Sequence, residues 1–126
     1  MVLEEIEETK KVSEENICDQ NLVSYILQML QTWMDAVFEI KRCLEKKEVE
    51  KGKLIGFDLK EALQTTKEVV ELEGTDYLKE FAVRCENCLE SLKRILSNMK
   101  KAEIEIAESK LEFELFPLFR IAYVRL

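Results

Sequence analysis

Histidine is absent from this chain of 126 residues, and glycine and proline are scarce, with three copies and one copy. Without an imidazole, the chain has no Ser-His-Asp or Cys-His nucleophile and no zinc-histidine site. Three glycines leave no material for a glycine-rich phosphate loop or a turn-rich β-sandwich. These absences exclude most familiar enzyme classes. We therefore expect a non-catalytic role, while carboxylates and thiols keep a metal-dependent reaction open.

The charge balance is acidic, with 19 Lys and Arg against 26 Asp and Glu and a net charge of −7. Such a chain repels nucleic acid and anionic membranes overall, so contact with either requires a local basic patch. The chain has no apolar run of about 20 residues, and its first residues lack the positive charge of a secretory signal. Its four cysteines form no dense disulfide framework. We expect a cytoplasmic protein without membrane contact.

Two long segments repeat apolar residues at the spacing of helices packed against near-parallel neighbours. The first series is Val23, Ile26, Leu30, Trp33, Val37, Ile40 and Leu44, and the second is Leu78, Ala82, Cys85, Leu89, Leu92, Leu96 and Met99. Apolar flanks cover more than half of the first helix, so we predict that residues 20–47 form a central helix, capped by Asp19 or Asn21. The helix that carries the second series is expected to start after Thr75 and to break near residues 98–102.

Residues 45–56 are charged and contain Gly52 and Gly56, which predicts a connection. A capping box of Asp58 and Glu61 then predicts the start of another helix, and Gly74 suits its left-handed stop.

The two ends of the chain are less regular. Residues 1–19 are acidic and predict a short helix or a loosely held arm. Beyond residue 102, the alternation of Leu111, Phe113 and Leu115 is also typical of a strand, but a lone strand has no partner, so we predict a helix kinked or restarted at Pro117. The expectation is one all-α domain over residues 1–126, a small up-down bundle of three to four main helices.

Cysteines are the first candidate chemistry. Cys85 and Cys88 lie three residues apart on one side of a helix, and in an up-down-up bundle Cys43 is expected at a similar height. Three thiols would then bind a metal, or two would form a disulfide. The helical phase favours the alternative that all three are buried as small hydrophobic residues.

Carboxylates are the second candidate. Glu68 with Glu71, and Glu105 with Glu108, have the E-x-x-E spacing used to hold Mg²⁺ in all-helical pyrophosphohydrolases. Helical phase turns the first pair away from the apolar stripe and leaves the second undecided. We expect solvated acidic faces and no cofactor.

Basic residues gather at the ends of the two strongest helices, where cations also stabilise the helix dipole. In an up-down-up bundle both groups meet at one pole, a candidate site for nucleic acid or phosphate-bearing partners. No aromatic residue interleaves with these clusters in the sequence, so base stacking is not expected. The basic-pole candidates are Lys46, Lys47, Lys51, Lys53, Lys93, Arg94, Lys100 and Lys101.

The C-terminal residues 113–126 are almost continuously apolar. A single helix cannot turn so many apolar side chains toward a small core. Either this segment plugs the bundle or part of it is an exposed surface for a partner. We favour the second and hypothesise a non-catalytic assembly module that forms a homo-oligomer or joins a larger assembly. Nucleic-acid or phosphate binding at the basic pole is the alternative, and a carboxylate or thiol metalloenzyme is the third. The interface candidates are Met34, Phe38, Phe116, Phe119 and Tyr123.

Overall fold

Four helices follow one another in the computed structural model, which describes the backbone of residues 2–74 and 76–126 and the side chains of residues 20–74, 76 and 78–126. They are α1 (Val2–Glu45), α2 (Val49–Glu73), α3 (Asp76–Lys100) and α4, which covers residues 104–124. Helix α4 changes from α-helix (Ile104–Lys110) to π-helix (Leu111–Leu115) and back (Phe116–Val124) without a break. The described backbone contains no strand, so the all-α prediction is confirmed.

The helices form a square, up-down-up-down bundle. Each helix contacts its neighbours in sequence, and α1 also contacts α4. Across the diagonals, α1 with α3 and α2 with α4, the described residues make no close backbone contact. Helix α1 therefore occupies a corner, and the prediction of a central helix is wrong. Its wide apolar surface is divided between two neighbours and the core.

The core takes one stripe from each helix, and both predicted stripes are confirmed. Val23 is partly buried, and every other residue of the two predicted series is buried. Helix α2 adds Leu59, Leu63 and Val70, and α4 adds Ala107, Leu111, Leu115, Phe119 and Ala122.

The α1–α2 and α3–α4 turns have the same geometry and lie at the same pole of the bundle, called the basic pole below. Lys47 and Ala102, 55 positions apart, have φ of 63° and 60°. Each turn pairs its backbone in the pattern of a Schellman motif: Lys47 and Ala102 donate to Leu44 and Met99, and the following glutamates donate to Cys43 and Asn98. The chain thus consists of two similar helical hairpins, and the turn of each hairpin contains a non-glycine residue in the left-handed region.

Helix α2 begins at Val49, ten residues before the start predicted from a cap at Asp58. The expected connection over residues 45–56 shrinks to residues 46–48, and Gly52 and Gly56 are buried inside the helix. At Gly56 the missing side chain permits a close approach, because a Cβ atom there would lie 2.6 Å from Leu96 Cδ2. Gly74 does follow α2, but with φ −77° and ψ 148° rather than a left-handed conformation. The predicted cap at Thr75 lies outside the described residues.

The π-helical segment adapts α4 to its core stripe. The buried residues Ala107, Leu111, Leu115 and Phe119 are each four positions apart, and at 100° per residue such a series drifts around an α-helix. The wider i→i+5 turn advances less angle per residue and returns the stripe to the core. Pro117, which has no N–H to donate, follows directly as the second residue of the last α-helical segment.

Residues 2–19 continue the backbone of α1, so the predicted caps at Asp19 and Asn21 and a separate N-terminal helix are wrong. The prediction that residues 1–19 form a loosely held arm depends on side chains that lie outside the described residues. Within the described part of the chain, none of the helices combines the length and apolar character needed to cross a bilayer.

Candidate interaction surfaces

The five predicted interface residues are divided between core and surface. Phe119 is fully buried, and its ring centroid lies 5.9 Å from that of Trp33. Met34 and Tyr123 are partly buried against the core. Phe38 on α1 is 57% exposed, and its ring packs against half-buried Phe116 at 4.9 Å between centroids.

A second apolar surface lies on the opposite side of α4, facing the groove with α3. Phe113 and Val124 are each 74% exposed, and Ile121 is about half exposed. Phe113, Pro117 and Ile121 line one groove with α3, and Val124 follows Ile121 by three residues on the α-helical part of α4. Leu118 lines the same groove. We call Phe113, Pro117, Leu118, Ile121 and Val124 the α4 strip.

The sequence named the C-terminal segment but missed Phe113, Ile121 and Val124 as its exposed members. Helical phase alone cannot select them, because the π turn resets the phase between Leu111 and Leu115. The available signal was the four-residue spacing of Leu111, Leu115 and Phe119.

Polar residues border the α4 strip on the α3 side. The groove also contains Asn87, Glu90, Arg94 and Glu114. Arg94 donates a hydrogen bond to Glu114 Oε1, which lowers the pKa of that carboxyl group. On the other side of α4, Lys41 of α1 pairs with Glu112 at 3.1 Å. Ion pairs thus tie α4 to both neighbours, and Arg94 belongs to this groove rather than to an open basic cluster.

Lysines line a second groove, between α2 and α3. Its residues are Lys53, Phe57, Lys60, Lys93, Leu96, Ser97 and Lys100, around a volume of about 480 Å³. Three of the predicted basic-pole residues, Lys53, Lys93 and Lys100, therefore share one site, and we call it the lysine groove. Lys46, Lys47, Lys51 and Lys101 are exposed near the two turns. No aromatic residue interleaves with the basic clusters in the sequence, but pairing of α2 with α3 brings Phe57 into the groove beside these lysines.

The three candidate thiols do not meet. Cys43, Cys85 and Cys88 are free and buried. A Cβ atom on Gly52 would lie 3.5 Å from Cys43 Cβ and 3.7 Å from Met99 Cε, so Cys43 is level with Met99. Cys88 is eleven residues earlier on α3, about 16 Å away along the axis. The prediction of similar heights is therefore wrong.

Burial also suppresses thiol chemistry. It raises the pKa of Cys88 to about 12, and it raises the pKa of Cys85 as well. Metal binding and nucleophilic attack both require the thiolate, the form that burial disfavours at these two positions.

Neither E-x-x-E pair has a third candidate ligand beside it among the described side chains. Glu68 accepts a hydrogen bond from Gln64, and Glu71 pairs with Lys67 at 3.6 Å. Glu105 is exposed and Glu108 is half-buried. Among the described side chains, no three Cys, Asp or Glu residues lie close enough to hold a metal ion together.

Comparison of the chain with known protein families, with curated proteins and with solved structures finds no match. Support for a function therefore comes from the two surfaces described above.

Proposed function

We propose that this protein is a non-catalytic assembly module that associates with a second copy of itself through the α4 strip. The observation that carries the proposal is the exposure of Phe113 and Val124, each 74% accessible, on one strip with Ile121. A contiguous apolar surface of this kind on a small protein is typical of an interaction site. Leu72 on α2, which is 86% exposed, has no exposed large apolar residue three or four positions away among the described residues.

The order of residues along the strip is self-complementary. Phe113 and Ile121 lie four positions on either side of Pro117, about 6 Å along the axis in each direction. A two-fold axis beside Pro117 relates two antiparallel copies of α4, and it places Phe113 of each protomer against Ile121 of its partner. Such an isologous contact closes as a dimer rather than growing into a fibre.

The border of the strip also suits an interface. Asn87, Glu90, Arg94 and Glu114 form a polar edge beside the α4 strip. An apolar centre with a polar rim is the usual anatomy of protein–protein contacts. Val83, 62% exposed and four residues before Asn87 on α3, extends the apolar surface toward Val124.

The opposite side of α4 is the weaker candidate. The Phe38 ring already packs against Phe116 within one chain, and the Lys41–Glu112 ion pair lies beside it. The α4 strip has no such internal ring partner among the described side chains. We therefore assign the interface to the α3 side of α4.

Cysteine cross-linking tests both the contact and its direction. The fourth cysteine of the sequence, Cys18, is first replaced by Ser, which leaves only the three buried thiols. In this background the Pro117→Cys chain should form a disulfide dimer under mild oxidation, since two copies meet at the axis. Phe113→Cys alone should not cross-link, whereas an equal mixture with Ile121→Cys should. Cross-linking demands Cα atoms about 4.4–6.8 Å apart, so the pattern reports the register.

Leu72→Cys is the matched control, because Leu72 is 86% exposed on another helix. It should cross-link only slowly, by random collision. The proposal is wrong if Leu72→Cys dimerises as fast as Pro117→Cys, or if the mixture of Phe113→Cys and Ile121→Cys gives no more dimer than either chain alone.

A further inference from the structure

We propose that the lysine groove between α2 and α3 binds a nucleoside phosphate, either as a free nucleotide or as part of a strand. Four lysines in one groove are notable in a chain with a net charge of −7. Local positive charge of this kind is what an acidic protein needs to hold an anion. This site is separate from the α4 strip, so the proposal does not depend on self-association.

The lysines are arranged as two pairs. Gly56 approaches Leu96 at the centre of the groove. Lys53 lies three residues before Gly56 and Lys100 four residues after Leu96, so in antiparallel helices both belong to the end nearer the basic pole. By the same count, Lys60 and Lys93 belong to the other end. The two pairs are about 10 Å apart along the helix axes.

Two of these ammonium groups have no internal counter-charge. Lys60 and Lys100 make no ion pair with any described side chain. Lys53 pairs with Glu50 at 3.1 Å and Lys93 with Glu90 at 3.6 Å, each within its own helix. Exposed pairs three residues apart are weak, so a phosphate can compete for both lysines.

The floor of the groove selects the kind of anion. Phe57 is 54% exposed between Lys53 and Lys60, and Leu96 lies between Lys93 and Lys100. An exposed aromatic face beside ammonium groups suits a ligand with a flat base and attached phosphates. The hydroxyl group of Ser97 adds a hydrogen-bonding group in the same groove. A volume of about 480 Å³ lies within the usual range for small-ligand sites.

Binding is measured by isothermal titration of the full chain with adenosine triphosphate, inorganic triphosphate and a short single-stranded oligonucleotide. We expect binding that weakens with added salt, and at least a tenfold loss in the Lys60→Glu/Lys100→Glu chain. The matched control is Lys79→Glu/Arg120→Glu, which changes the net charge equally at exposed positions outside the groove. That control should bind as the unmodified chain does.

Phe57→Ala separates base stacking from charge. It should weaken nucleotide binding about five- to 150-fold, the range expected for loss of one base–aromatic stack, and leave inorganic triphosphate unaffected. Tighter binding of the oligonucleotide than of the free nucleotide would identify a strand as the source of the ligand.

Three results would overturn the proposal. The first is no binding of any probe at low salt, and the second is an equal loss in the control chain. The third is that polyglutamate binds as tightly as the nucleotide while Phe57→Ala has no effect, which would make the groove a site for acidic protein segments.

Discussion

The Trp33 indole on α1 packs against the Phe119 ring on α4, with centroids 5.9 Å apart and ring planes inclined by 39°. Both side chains are among the largest that are fully buried. Three to five residues away, Phe38 and Phe116 form a second ring pair between the same helices, and Phe38 remains 57% exposed. The α1–α4 contact thus contains a core half and a surface half.

This difference predicts unequal costs for two truncations. Phe119→Ala should lower the free energy of unfolding by about 3–5 kcal/mol, because it leaves a cavity in the core. Phe38→Ala should cost about 1 kcal/mol, mainly the loss of one ring pair. Urea unfolding, followed by the fluorescence of the single tryptophan, measures both. Equal costs would contradict the division into core and surface.

Gly52 and Gly56 predict opposite responses to the same substitution. Ala at residue 52 meets only ordinary contacts at 3.5–3.7 Å, so Gly52→Ala should stabilise the protein by about 0.5–1 kcal/mol through helix propensity. At residue 56 the new Cβ would lie 2.6 Å from Leu96 Cδ2, which must move. Gly56→Ala should therefore give no such increase in the free energy of unfolding. Thermal unfolding of the two chains compares them, and a larger gain at residue 56 would refute the close approach of α2 and α3.

The left-handed residues at the two turns are sites for stabilisation. Lys47 and Ala102 have φ near 60°, a region that costs residues with a Cβ about 1–2 kcal/mol. Ala102→Gly and Lys47→Gly should each raise the free energy of unfolding by about 0.5–1 kcal/mol, after the greater entropy of unfolded glycine is subtracted. Chemical denaturation tests this, with Ala107→Gly inside α4 as a control that must destabilise. A loss of stability at residue 102 would exclude the Schellman geometry.

The Arg94–Glu114 pair predicts how stability depends on pH. Its hydrogen bond lowers the pKa of Glu114 from an ordinary value of 4.5. A lowered folded-state pKa contributes stability above the unfolded pKa, and that contribution disappears as pH falls through the folded value. Glu114→Gln should therefore flatten the stability curve below about pH 4.5. Glu61→Gln, at an exposed position without an ion pair, is the control. Parallel curves of stability against pH for Glu114→Gln and the unmodified chain would show that the pair contributes nothing to stability.

The sequence predicted the helices whose apolar spacing is regular. The steps of three and four residues from Ile26 to Leu44 and from Leu78 to Met99 identify core stripes correctly, because burial of such stripes is what holds a bundle together. The break near residue 101 followed from the change of phase beyond Met99.

What the sequence did not predict depends on contacts between helices. Gly52 and Gly56 are typical of a loop, yet both lie inside α2. Gly56 leaves room there for Leu96 of α3. The position of Cys43 along the bundle axis, relative to Cys85 and Cys88, depends on how the two hairpins are aligned. No local sequence pattern contains that alignment. Phe57 joins the lysines only because α2 pairs with α3, and the π turn is a response of α4 to its neighbours.

Self-association through the α4 strip is tested most directly by sedimentation equilibrium of the unmodified chain, Phe113→Asp and Leu72→Asp. The unmodified chain and Leu72→Asp should approach twice the 14.8 kDa of one chain as concentration rises, and Phe113→Asp should remain at one chain. An unmodified chain that stays monomeric over the whole range, or a Phe113→Asp chain that dimerises as readily as Leu72→Asp, would contradict the assignment of this surface.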